Sequence, residues 1–189
     1  MARWVEQQRI VATTGVATHG FGEAVALDGD TALIGAPASD DGATAAGAAY
    51  VFVRTTEGWV EQQRLAAAPP TFTARFGHAV ALGAGVAVVA APTNSLGSGN
   101  VYVYQRTGAT WILEQVLVAA DARFFGKALA MDGDTLLVGA QDAAAPVGVV
   151  FVFERDGSGF QRIQRLDSLA LDEGFGDALA MSGDRALVG

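Results

Sequence analysis

The chain has 189 residues, 51% hydrophobic and 17% charged, with 24 glycines, no cysteine and a net charge of −8. This balance excludes a disordered chain, and the missing cysteines exclude disulfides and thiolate metal sites. The 12 Lys and Arg fall singly along an acidic chain, so no basic patch for nucleic acid or an anionic membrane is present.

The first element in chain order is residues 4–12. Trp4 to Arg9 reads WVEQQR, which alternates apolar and polar residues and predicts a lone, half-exposed outer strand. Residues 1–10 contain Arg3, Glu6 and Arg9 and lack the apolar run of a secretory leader. Residues 21–66 follow. FGEAVALDGDTALIGAP, from Phe21, reads as two strands around Asp28-Gly29, a pair suited to a type I′ hairpin because both residues tolerate positive φ. GAAYVFV, from Gly47, is a third strand, β-branched and aromatic. Trp59 to Arg64 repeats the opening phrase and is a fourth.

Residues 76–118 run through the same order. FGHAVALGAGVAVVAAP starts at Phe76, with Gly83-Ala84-Gly85 as a looser turn, then GNVYVYQ at Gly99 and WILEQV at Trp111. The stretch from Gly77 to Gln105 has no charged side chain, but its glycines and Pro92 break it, and it reads as buried strands and a loop rather than a membrane span. Residues 125–167 repeat the set from Phe125, Gly148 and Phe160, and residues 175–189 begin it again from Phe175. A repeat of about fifty residues, found in one order throughout, marks a repeat architecture.

Four-stranded antiparallel units repeated around an axis make a β-propeller. The expected fold is therefore all-β, an incomplete propeller of about three full blades with partial terminal strands. The alanine-rich first strand of each unit suits the crowded axis, and the polar fourth suits the outer edge. Each Phe-Gly pair has a packing role, the ring filling the space between blades and the glycine permitting close backbone approach. Trp4, Trp59 and Trp111 recur likewise and read as core.

The chemistry-bearing residues converge on nothing. His19 lies in a linker, and His78 holds a position where other copies have Glu23, Lys127 and Asp177, facing solvent or the channel. Histidine pairs at zinc spacing, a Gly-x-Ser-x-Gly elbow and a Walker-type phosphate loop are absent. The acids sit at repeated turns or strands, and Asp40-Asp41 reads as a solvated loop pair. No catalytic residue is expected; carboxylate pairs of glycosidase type carry no local signature.

Phe-Gly at one end of each long phrase and Gly-Ala-Pro at the other resemble the FG-GAP repeat of integrin α-subunit propellers and bacterial secreted or surface proteins. The match takes in Phe21-Gly22 with Gly35-Ala36-Pro37, and Phe76-Gly77 with Ala90-Ala91-Pro92. It also takes in Phe125-Gly126 with Gly139-Ala140-Gln141, and Phe175-Gly176 with the chain reaching Gly189. The resemblance implies a non-catalytic module for binding, adhesion or scaffolding, extracellular or on the cell surface, recognising protein or glycan through its loops. The alternative it implies is an accessory propeller of a larger secreted enzyme. The family often binds calcium through D-x-D-x-D-G-x-x-D loops. Asp28 and Asp30, or Asp132 and Asp134, are too few and too close for the roughly six to eight oxygens calcium takes, so no metal or cofactor is expected. One, twelve and two strands do not close the family's usual seven-bladed ring. The chain therefore reads as a piece of a larger ring, its partners being the remaining blades or a second copy.

Overall fold

The computed structural model describes residues 5–13, 20–40, 42–93, 97–168 and 174–189; Trp4, His19, Asp41 and residues 94–96 lie outside these. The first blade pairs β1 (Val25–Asp28), β2 (Thr31–Ala36), β3 (Ala48–Thr55) and β4 (Gly58–Leu65) in chain order, all antiparallel. The second pairs β5 (Val80–Gly83), β6 (Val86–Ala91), β7 (Asn100–Thr107) and β8 (Thr110–Leu117). β9 (Ala122–Arg123) is a short strand on the third blade, which consists of β10 (Leu129–Asp132), β11 (Thr135–Asp142), β12 (Gly148–Asp156) and β13 (Gly159–Asp167). β14 (Leu179–Ser182) and β15 (Arg185–Val188) form the first half of a fourth. The protein is thus all-β, with three complete blades and two strands of another. β1, β5, β10 and β14 neighbour one another from blade to blade and line the axis.

Three local expectations need correction. The Phe-Gly pairs are not strand residues: they form a turn, and the inner strands start at Val25, Val80, Leu129 and Leu179. The hairpin turn is not Asp28-Gly29 but Gly29-Asp30, because Asp28 pairs with Thr31. Gly29, Gly133 and Gly183 hold φ near +55 to +59 while the residue after each does not, the pattern of a type II′ turn. Ala84 and Gly85 are both at positive φ (50° and 75°), so the second blade makes an equally tight two-residue turn of type I′ pattern. Finally, residues 5–12 form no strand, and among the described residues no strand pairs with them. They nevertheless lie against the outer edge of the first blade. The Gln8 amide donates to the Trp59 carbonyl (3.1 Å) and accepts from the Trp59 N–H (2.7 Å).

Blades stack face to face through apolar layers. Leu33, Val51 and Leu65 of the first blade meet Phe76, Val89, Tyr102 and Trp111 of the second. Val88, Val103 and Leu117 of the second meet Phe125, Val138, Phe151 and Phe160 of the third. The outer face of the first blade is only partly covered, by Ile10 and Ala12, which pack with Phe21 and Trp59 against Ala32, Ile34, Tyr50 and Phe52. Val25 and Leu27 are 68% and 66% exposed, whereas Val80 and Leu82, at the same blade positions, pack into the layer between the first two blades.

Candidate binding face

The turns that join the first strand of a blade to the second, and the third to the fourth, have two residues each, and all lie at one end of the stack. The inner hairpins close at Asp28–Thr31, Gly83–Val86, Asp132–Thr135 and Ser182–Arg185. The outer ones close at Thr55–Gly58, Thr107–Thr110 and Asp156–Gly159. The opposite end holds the long connections. Those between the second and third strands of a blade, residues 37–47, 92–99 and 143–147, shorten from blade to blade. Those between blades span 66–79, 118–128 and 168–178.

These connections are tied to each other. The Thr73 N–H donates to the Thr44 carbonyl (3.0 Å), the Arg75 N–H to Ala45 (3.1 Å) and the Phe124 N–H to Gly97 (3.1 Å). Asp40, expected to be merely solvated, accepts from the Ala45 N–H at 2.8 Å. Asp121 receives Arg162 Nη1 (2.9 Å) and Nη2 (3.0 Å) together with Arg165 Nη1 (3.1 Å). These guanidinium bonds, Arg162 foremost, pull the Asp121 carboxyl down to about 2 against the opposing effect of burial. Arg165 also holds Asp142, whose carboxyl is lowered by that bond and by the Ala144 and Ala145 N–H groups. The loop face is therefore a set of bonded loops, with Phe72 (65% exposed) and Phe124 (40%) projecting from it.

The Phe-Gly turns lie beneath this face and explain the repeated motif. Phe76 is fully buried and meets Tyr102 and Tyr104 edge-on, at 5.1 and 6.4 Å between ring centroids. Phe125 meets Phe151 and Phe153 in the same way, and Phe21 meets Tyr50 and Phe52. Phe175 packs on Val150, Val152 and Leu166. The Gly77 N–H donates to the Ala90 carbonyl of its own blade (2.9 Å), and its carbonyl abuts Gly35 of the blade before. A Cβ on Gly35 would lie 1.9 Å from that oxygen, and one on Gly139 would lie 2.1 Å from the Gly176 oxygen. The Ala90 methyl instead faces Gly126. Gly22, with no blade described before it, meets nothing within 4 Å. Ala36, Ala91 and Ala140 are buried beside these glycines, and Pro37 and Pro92 turn the chain out of the strand.

Glu23, His78, Lys127 and Asp177 each follow a Phe-Gly pair, at the axial mouth of the face. Arg75 Nη2 pairs with Glu23 Oε1 at 2.9 Å, and Lys127 pairs with Asp177. His78 is half-buried rather than freely exposed, and its proton affinity is lowered, first by burial and then by Arg75. At the opposite end, the carboxylates of the inner turns have backbone partners. Asp28 Oδ2 accepts from the Ala84 N–H (3.1 Å) and Asp132 Oδ2 from the Gly183 N–H (2.7 Å), each reaching the next turn around the axis. Among the described residues no group of three or more His, Asp or Glu is placed to hold a metal ion, and no helix is long and apolar enough to cross a membrane.

The sequence reading missed the amide clamps. Besides Gln8 on Trp59, the Gln63 amide grips Trp111 (2.7 and 2.8 Å) and Gln115 grips Phe160 (2.8 and 2.9 Å), in each case both backbone groups of the next blade's outer strand. The recurring glutamine in WVEQQR and WILEQV was the available signal.

The profile of the FG-GAP repeat matches residues 4–52 and 59–104. No curated protein matches the chain in sequence. Among solved structures, Sqt1 of Saccharomyces cerevisiae is similar at 13% identity and a TM-score of 0.53, over 82% of this chain and 37% of that one. A europium-containing methanol dehydrogenase is similar at 14% identity and a TM-score of 0.52, over 76% of this chain and 24% of that one. At such identities the likeness concerns fold alone, and the chain spans well under half the length of either protein.

Proposed function

The chain belongs to the FG-GAP repeat family, and from that premise we propose that it is a non-catalytic binding module, extracellular or at the cell surface, that recognises protein or glycan through its loop face. One observation carries this reading: all variation in connection length lies at one end of the blades, while every turn at the other end has two residues. Recognition is concentrated on loops that vary on a rigid frame. The loop-to-loop hydrogen bonds favour binding as well, because a pre-ordered surface loses less entropy on association. Exposed Phe72 and Phe124 supply apolar contact area beside charged groups, a composition suited to protein or sugar surfaces.

The test is loop exchange. Residues 38–46 and, separately, the Thr56-Glu57 turn are replaced by Gly-Ser segments of equal length, and each variant is screened against panels of immobilised glycans and surface proteins. Loss of a bound partner on the loop exchange alone, at an unchanged unfolding midpoint, supports the reading. Loss on the turn exchange alone moves recognition to the other end and overturns it.

A further inference from the structure

Among the described residues, one buried side-chain polar atom has no hydrogen-bond partner: Nδ1 of His78. Such an atom in a packed site calls for an explanation. Glu23 Oε1 lies 3.7 Å away, and this same oxygen holds Arg75 Nη2 at 2.9 Å. Three segments meet here. Glu23 opens the first blade, Arg75 and His78 lie in the loop 66–79 that leads into the second, and Lys127 opens the third, itself held by Asp177. Arg75 sits at φ 57°, a left-handed conformation that a non-glycine residue keeps only when its surroundings hold it there.

We propose that His78 is a proton switch on the Glu23–Arg75 ion pair: once protonated, its Nδ1–H takes the Glu23 oxygen that holds Arg75 and releases the Arg75 side chain, so that loop 66–79 is held to Glu23 by His78 instead of by Arg75. The imidazole is a side chain whose charge changes in the mildly acidic range. The pair it competes with is exposed, at 45% and 40%, and solvent-screened pairs are weak. A new cation beside the shared oxygen is therefore sufficient to rearrange it. The charges facing the ring set where the switch acts. Burial and Arg75 lower the proton affinity of His78, Lys127 lowers it further, and Glu23 alone raises it. The change thus lies on the acid side of the ordinary 6.5. Because the fold favours the neutral ring, the associated stability is complete above 6.5 and declines as pH falls below it.

NMR titration of the whole chain tests it, in a His19→Gln background that leaves His78 as the single imidazole. The expected result is a His78 midpoint below 6.5, with the Arg75 Nε–H and the Thr73 and Arg75 amide signals moving at the same midpoint. In His78→Gln those signals stay still over that range, and in Glu23→Gln the His78 midpoint falls further. Arg75 signals that stay still while His78 titrates, or that titrate alike in His78→Gln, overturn the switch.

Discussion

At the scale of single residues, the repeated motif is a record of close approach. Gly35 and Gly77 come from successive blades, and the space between them admits no methyl group. Gly35→Ala is therefore expected to destabilise the chain by about 1–3 kcal/mol, the usual cost of overpacking, read as a lower denaturant midpoint at unchanged slope. The opposite change is available on the inner turns. Asp28 and Asp132 each accept a backbone N–H from the next turn, but the second blade has Gly83 there, with open space around it and only the Met131 methyl at 3.5 Å. Gly83→Asp should supply the missing acceptor to the turn at Gly133 and raise stability by roughly 0.5–1.5 kcal/mol. An unchanged or lowered midpoint would show that the aspartates merely coincide with those N–H groups.

At the scale of elements, the outer strands hold the blades together through a shared irregularity. Each departs from regular register at the same place, between Val51 and Phe52, Val103 and Tyr104, and Val152 and Phe153 on the partner strand. The bulges fall beside Gln63, Gln115 and Gln164, consistent with their use in re-aiming a side chain. Gln115→Ala would leave the N–H and carbonyl of buried Phe160 without their partner, at a cost of about 1–3 kcal/mol. Gln164→Ala should be silent in this chain, since Gln164 is exposed and, among the described residues, no further outer strand lies beside it. Comparing the two variants by chemical denaturation separates a clamp from a generic strand residue. A second tie joins the loop 118–128 to β13 through Asp121. Its carboxyl lies at about 2, below the ordinary 3.8, so its contribution is complete above 3.8 and is lost as pH falls towards 2. Asp121→Asn should flatten stability across that interval, measured as denaturation midpoint against pH.

At the scale of the whole molecule, the two end faces of the stack are unlike, and each leaves apolar side chains exposed. One shows Val25 and Leu27, and the other shows Leu187 at 77% exposure, where Leu33 at the equivalent position is fully buried. Faces that are complementary inside the molecule remain so between molecules, and head-to-tail contact of this kind closes into a ring where the rotation between copies allows it and otherwise runs on. The 189-residue chain is expected to associate with rising concentration. Light scattering should show mass above a monomer, and the double variant Leu27→Glu and Leu187→Glu should return it to one chain. A monodisperse monomer at every concentration would mean that these faces are too small or too polar to associate.

The repeat period, the four strands of each blade and the burial of Phe76-Gly77 and Phe125-Gly126 were legible in the amino-acid sequence, because each is a local pattern copied several times in register. Phe76 and Phe125 could be placed between blades from recurrence alone. The hairpin turns were misplaced by one residue, since Asp28-Gly29 and Gly29-Asp30 are both acceptable turn pairs and only strand register separates them. The segment 5–12 carries the sequence of an outer strand, yet strand structure needs a neighbour, which sequence cannot supply. The Gln63 and Gln115 clamps, the meeting of Gly35 with Gly77 and the contact of His78 with Glu23 all join residues about fifty positions apart. Local sequence determined what each blade is; the distances between blades were decided only when their faces packed together.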